Sequence, residues 1–459
     1  MSFGTGIQAK EDELVRTAVL ALMILTFALV GGGAVAEGDA GLTKEITARI
    51  QRDTEKHRKG DALIQVVDER GRPIEGASVK AEQLTHDFLF GCNIYTFDHF
   101  GSDEDNAKYR EMFKRLLNYA TLPFYWRGFE PEQGKPGYDR IDKIAKWCKE
   151  NGVTTKGHPL VWACHEAGVP TWLPQDRPDE VKRLMEARIR EIVSRCKGLI
   201  DIWDVVNEST HGARFADMTV FEFTSMPVRW AEEANPDAVL IVNEFGMFTD
   251  KTTKDASLKL LKDMKDAGVP YDAIGLQTHM HGGLFPIPTI LSVLDEYAAL
   301  GKPLHLTETT VISGRETNPA DEKKQAESVE QFYRACFSHP AVKAITWWDF
   351  SDFGAWQGVA AGLVRKDLSP KPAYLVLDRL INKEWHTSAE GRTHSDGSFA
   401  FRGFHGKYRV TVTAPSGASK TLDFHVAEGA GNRLEARMSN AQGSPECGIP
   451  LRREKPWAE

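Results

Sequence analysis

"LIDIWDVVNE", Leu199 to Glu208, is a mostly apolar run that ends in a carboxamide and a carboxylate side by side. A buried strand gains nothing from such an ending unless it emerges where the polar pair has a use. Seven other runs end the same way: "FLFGCNIYTF" from Phe88, "NYATLPFYW" from Asn118, "TTKGHPLVW" from Thr154, "AVLIVNEFG" from Ala238, "AIGLQTHM" from Ala273, "PLHLTETT" from Pro303 and "AITWWDF" from Ala344. Their polar or aromatic ends are Asn93, Tyr125, His158, Asn207 with Glu208, Asn243 with Glu244, Gln277 with His279, Glu308 and Trp348. Amphipathic helical stretches fit between them, most clearly "ADEKKQAESVEQFYRACFSHP", Ala320 to Pro340. This alternation is the pattern of parallel βα units. Eight units in about 290 residues predict an α/β fold, a closed (β/α)8 barrel over 88–383. In such a barrel all eight polar ends meet at one face.

The flanks read differently. "ALIQVVDERGRPIEGASVKAEQ", Ala62 to Gln83, predicts two strands around a Gly-Arg-Pro turn. "SDGSFAFRGFHGKYRVTVTAPSGASKTLDFHV", Ser395 to Val426, alternates apolar and polar residues and predicts three or four antiparallel strands. Two strands cannot bury a face alone. Segments 61–87 and 384–438 are therefore expected to build one small accessory β-sandwich. Residues 37–60 read as a helical linker and 439–459 as a turn-rich, loosely ordered tail.

"TAVLALMILTFALVGGGAVA", Thr17 to Ala36, is an apolar run ending in Ala34-Val35-Ala36, the pattern of a signal peptide over 1–36 with a small-residue cleavage site. The alternative is a membrane anchor; the glycine-rich end favours cleavage. Glu11, Asp12 and Glu13 outnumber Lys10 and Arg16, which places a net-positive leader's start near Leu14 or Val15. The expectation is a secreted or periplasmic protein without stable membrane association after cleavage.

A net charge of −8 and scattered basic residues argue against nucleic acid as a partner. None of the six cysteines forms a C-x-x-C pair, so zinc-ribbon and thioredoxin-like readings fall away. Eleven tryptophans serve core packing for the most part, but flat aromatic faces also suit sugars.

Glu208 ends the fourth barrel strand and Glu308 the seventh, nearly opposite each other. Glycosidic cleavage needs such a pair, one acid on the leaving oxygen and one carboxylate at the anomeric carbon. The second charge also helps raise the acid's pKa. A metal-dependent reading of His279 and His281 with His158 is weaker, because the His-x-His of amidohydrolase-type barrels lies on the first strand. No metal or cofactor is expected.

The central region resembles glycoside hydrolase family 10, whose typical members are retaining endo-β-1,4-xylanases. "GHPLVW", Gly157 to Trp162, is similar to the family's Gly-His-x-Leu-Val-Trp motif, "WDVVNE" to its acid/base motif and "LTETT" to its nucleophile motif. The resemblance implies Glu208 as acid/base and Glu308 as nucleophile. "GLQTH" matches the sugar-binding Gln-x-His, Gln277 and His279, and "TWWDFSDFGAW" the eighth-strand segment with Trp348 and Trp356. Substrate contacts are also expected from His158, Trp162, Asn207, Trp126 and Tyr125. The implied function is double-displacement hydrolysis of β-1,4 bonds in xylan or a related plant polysaccharide or oligosaccharide. The alternatives are an exo-acting or decorated-substrate β-glycosidase and a non-catalytic carbohydrate-binding protein. One segment departs: where the family has Glu-Asn-x-x-Lys-Trp after its second strand, this chain reads "TLPFYW", Thr121 to Trp126, and the His that usually follows Gly-His-x-Leu-Val-Trp is Ala163. An apolar or narrowed donor side is expected.

Overall fold

The computed structural model describes residues 42–211, 214–215, 218–314 and 318–439. The signal segment and nearly all of the expected tail lie outside them. A helix, α1 (Lys44–Arg58), leads into β1 (Lys59–Val67) and β2 (Ser78–Gln83). The barrel strands follow: β3 (Leu89–Asn93), β4 (Tyr119–Pro123), β5 (Thr154–His158), β6 (Ile202–Asn207), β7 (Val239–Glu244), β8 (Ala273–Met280), β9 (Leu304–Val311) and β10 (Val342–Trp347). After them come β11 (Ser388–Arg392), β12 (Ser398–Phe404), β13 (Gly406–Thr413), β14 (Ser419–Val426) and β15 (Arg433–Arg437).

Strands β3 to β10 pair in sequence order, and β10 closes on β3 through Ala344–Leu89 to Trp347–Cys92. All neighbouring pairs in the barrel are parallel. Each of the eight polar-ended runs therefore supplies one barrel strand. Leu89, Tyr119, Ile202, Val239, Ile241, Ala273 and Ala344 form an apolar cluster of their own. Side chains two residues further along a strand share its face. That step leads from Ile202 to Asp204, from Ile241 to Asn243 and from Tyr119 to Thr121, so a polar layer succeeds the apolar one. The amphipathic helices bury their apolar faces in a larger cluster around the barrel.

The accessory domain is a two-sheet sandwich built from both flanks. One sheet has the order β12-β1-β15, the other β11-β2-β13-β14. β1 runs antiparallel to β12 and parallel to β15, while β2 sits between β11 and β13. Ile64, Val66, Val79, Ala81, Val410 and Val412 are fully buried between the sheets. The sequence pattern marks β1, β2, β12, β13 and β14; β11 and β15 are short, with mostly exposed or half-buried residues, and carry little of it.

Arg58 joins the two parts. Its guanidinium donates to the carbonyls of Phe337, His339 (2.5 Å) and Val342 (2.7 Å) and lies 4.8 Å from the Phe88 ring centroid. Phe337 and Trp385 stack at 4.0 Å, with Phe90 and Phe404 alongside. These contacts fall where β3 and β10 begin, so the sandwich is attached at the end of the barrel opposite the polar strand ends. Arg58→Ala should strip a donor from three buried carbonyls, of which that of His339 keeps the Val342 N–H at 3.1 Å, and lower stability by about 2–4 kcal/mol. Denaturant unfolding checks this; a loss below about 0.5 kcal/mol would contradict it.

Candidate active site

Glu208 follows β6 in a left-handed backbone conformation, φ +57°, with its N–H donating to the Asn243 carbonyl at 2.9 Å. A non-glycine residue there is strained by about 1–3 kcal/mol, a cost typically met at functional sites. One carboxylate oxygen accepts from the Trp162 indole N–H at 3.0 Å and the other from the Gln277 amide at 3.0 Å. Burial pushes the Glu208 pKa up to about 8, and the charge of Glu308 adds to the shift.

Glu308, 5% exposed on β9, has the opposite surroundings. Its carboxylate accepts from the Asn243 amide at 2.9 Å, faces His279 Nε2 at 3.2 Å and lies 3.7 Å from His158 Nε2. Burial alone would raise its pKa, but the charge of His158 and the hydrogen bond and charge of His279 more than offset that and hold it below the usual value. At neutral pH one carboxyl is therefore a proton donor and the other an anion.

Three carboxamides, Gln277, Asn207 and Asn243, connect them. Asn207 Oδ1 accepts from Asn243 Nδ2 at 2.7 Å and from Gln277 Nε2 at 3.2 Å. The same two amides reach Glu308 and Glu208 respectively. Asn243 needs room, which Gly275 on the neighbouring strand supplies: a Cβ there would lie 2.6 Å from Asn243 Oδ1.

Beneath the site runs a line of buried charge. Lys156 Nζ lies 2.6 Å from Asp204 Oδ2, which also contacts His158 Nδ1 at 2.8 Å, and all three residues are at most 1% exposed. Burial opposes ionisation of Asp204, but Lys156 and His158 outweigh it and lower its pKa. His279 Nδ1 pairs with Thr310 Oγ1 at 2.9 Å.

Glu208, Glu308, Asn207, Asn243, Gln277, His279 and Trp162 thus form one hydrogen-bonded network, with His158 3.7 Å from Glu308 beside it. Trp348 packs edge-on against His158 and His279, Trp356 lies 4.7 Å from the His279 centroid, and Tyr125 meets both His158 and Trp162. Trp126 is different: it is 3% exposed, packs against Trp172, Phe215 and Arg188, and donates its indole N–H to Glu130. The expected sugar contact from Trp126 is corrected to a place in the wall behind the site. Glu244 accepts from the Thr210 N–H and hydroxyl and faces His211, so it holds the loop after Glu208. Both nitrogens of His279 are engaged by Glu308 and Thr310, and among the described residues no group of His, Cys, Asp and Glu has a metal-holding arrangement. Sequence reasoning missed the linking role of Asn243 and the Lys156–Asp204 pair. A lysine and an aspartate inside parallel strands were the available signal, since unpaired charges are not buried there.

The family model for glycosyl hydrolase family 10 matches residues 81–379. The chain belongs to glycosyl hydrolase family 10. Endo-1,4-beta-xylanase B of Thermotoga neapolitana is 28% identical over 341 residues, covering 70% of this chain and 96% of that protein. The anti-sigma-I factor RsgI6 of Acetivibrio thermocellus is 31% identical over 376 residues, 82% of this chain; the chain spans about half of it, 47% of its length. For endo-1,4-beta-xylanase 1 of Arabidopsis thaliana that share is 39%. The crystal structure of xylanase 10B from Thermotoga petrophila in complex with xylobiose aligns with a TM-score of 0.57 at 28% identity, covering 65% of this chain and 95% of that one.

The raised Glu208 pKa has a sign that can be measured. The folded protein keeps a proton that the unfolded chain releases above its ordinary value of 4.5, so stability falls as pH rises from there to about 8. Glu208→Gln should lack this decline. Parallel unfolding curves of the two proteins across pH 5–9 test it; identical pH slopes would contradict the assignment.

Proposed function

We propose that this protein is a retaining glycoside hydrolase that cleaves β-1,4 bonds in xylan or a related plant polysaccharide or oligosaccharide by double displacement. The observation that carries the reading is the opposed protonation of Glu208 and Glu308 within one hydrogen-bonded site. Glu308 attacks the anomeric carbon while Glu208 protonates the departing oxygen. Glu208, then ionised, takes a proton from water as that water displaces Glu308. Asn207 has its oxygen occupied by two amides and offers N–H donors to the sugar 2-hydroxyl. Trp348 and Trp356 present apolar faces to the pyranose ring. The relatives named as xylanases support xylan as the substrate class. A non-catalytic sugar binder has no use for a half-buried acid beside a buried anion, each at an energetic cost.

We also propose export from the cytoplasm, supported by the apolar run Thr17–Ala36 with its small-residue end. N-terminal sequencing of protein recovered outside the cytoplasm should begin at Glu37.

A 2-deoxy-2-fluoro-β-xylosyl donor with a good leaving group should trap one glycosyl unit on the peptide containing Glu308. Glu208→Ala should lose about 10²–10⁴ in kcat on xylan yet form the intermediate readily from a dinitrophenyl glycoside, whose leaving group needs no acid. Label on another carboxylate would overturn the assignment.

A further inference from the structure

Four aromatic rings close on one another beside Glu308. Tyr95 meets Tyr125 at 6.0 Å and 82°, Tyr125 meets His158 at 5.4 Å and 78°, His158 meets Trp348 at 5.3 Å and 79°, and Trp348 returns to Tyr95 at 5.7 Å and 79°. Every contact is edge-to-face, the arrangement favoured by the ring quadrupole. The four residues stand at or just beyond the ends of β3, β4, β5 and β10, which are adjacent in the barrel. The box therefore spans one continuous arc of the mouth. Behind it Thr121 and Leu122 are fully buried, and the Tyr95 hydroxyl is sealed from water.

Its position relative to the carboxyls gives it a direction. Glu208 stands just beyond β6 and delivers its proton to the leaving oxygen, so the leaving chain departs on that side. Glu308 lies beneath the sugar that is retained. His158 belongs to the box and is 3.7 Å from Glu308; Tyr125 borders Trp162, which holds Glu208, and from there the box extends through Tyr95 to Trp348 at the end of β10, away from the Glu208 side. A groove that threads a polysaccharide must continue on this side, which is where the four interlocked rings stand.

We propose that the box of Tyr95, Tyr125, His158 and Trp348 closes the donor end of the cleft directly beyond the sugar that Glu308 attacks, so that the enzyme removes single pyranose units from the non-reducing ends of β-linked chains. This rests on the glycosidase reading above and specifies where that site cuts. Each turnover breaks one C1–O bond, adds the water oxygen to C1 and returns a proton to the departing sugar oxygen. The pocket accepts one unsubstituted pyranose on the donor side and chains of any length on the leaving side.

Two measurements on the full chain test this. The first follows xylohexaose labelled at its reducing end, with products resolved by chromatography. Free xylose and labelled xylopentaose should appear first. Xylobiose or longer donor-side fragments as first products would overturn the closure while leaving the glycosidase reading in place. Absence of hydrolysis on xylohexaose and on every aryl β-glycoside tried would instead overturn the reading beneath it. The second compares kcat/KM on 4-nitrophenyl β-xyloside and β-xylobioside. A closed donor end predicts a bioside-to-monoside ratio no greater than about one, whereas a second hydrogen-bonding donor subsite would give about 10² or more. Tyr95→Ala with Tyr125→Ala should open the box, raise that ratio at least about tenfold and bring xylobiose among the first products. An unchanged ratio and product pattern in a folded double variant would contradict the proposal.

Discussion

Two carboxyl groups share one water-poor site, and the site functions only if they hold opposite charges there. Like charges in a low-dielectric pocket repel, so the proton goes to the group with fewer cationic or donating neighbours. Glu308 has Asn243, His279 and His158 around it; among the described residues Glu208 accepts from the neutral Trp162 and Gln277. That asymmetry makes the first an anion and the second an acid. The link between them, Gln277 to Asn207 to Asn243, is made of carboxamides. Carboxamides do not titrate in this range, so the link fixes geometry without moving protons.

The rest of the barrel is arranged around this requirement. The apolar inner layer gives way to a polar one that carries Lys156, Asp204 and Asn243. Lys156 and Asp204 are both fully buried, which is costly for either charge alone and tolerable only for the pair. Their product is an imidazole at His158 fixed by Asp204 with its other nitrogen toward Glu308. The strained backbone at Glu208 and the missing side chain at Gly275 serve the same arrangement. Glu244, another carboxylate at the barrel mouth, is engaged by Thr210 and His211 and so steadies the loop after Glu208.

Much of this was legible before the fold was seen. The eight runs gave themselves away because a parallel strand buried on both faces is apolar until it reaches the mouth. Glu208, Glu308, Gln277 and His279 stood at such ends, in motifs that resemble the family's. Trp126 was misjudged because sequence spacing says which turn a ring occupies but not which way it points; its indole N–H found Glu130, and its ring faces Trp172 and Arg188. Asn243 was visible as a polar strand end, but its role depends on two bonds to residues 36 and 65 positions away. Tyr95 gave no signal, since its importance comes from closing a ring of contacts across three other strands. In the sandwich, β15 escaped notice because it pairs in parallel with β1 across nearly the whole chain and alternates weakly.

The sandwich itself meets the barrel at the end away from the carboxyls, through Arg58 and the Phe337–Trp385 stack. Its contribution is to hold the barrel's closing strand where Val342 begins. The two carboxyls stand at the opposite mouth, where we propose that Glu308 bonds to carbon while Glu208 handles the proton. Proton NMR of the first-formed sugar, recorded before mutarotation, tests that claim most directly. Two displacements return the β-anomer first. An α-anomer formed first would mean that water, and not Glu308, attacks carbon, and would contradict the account.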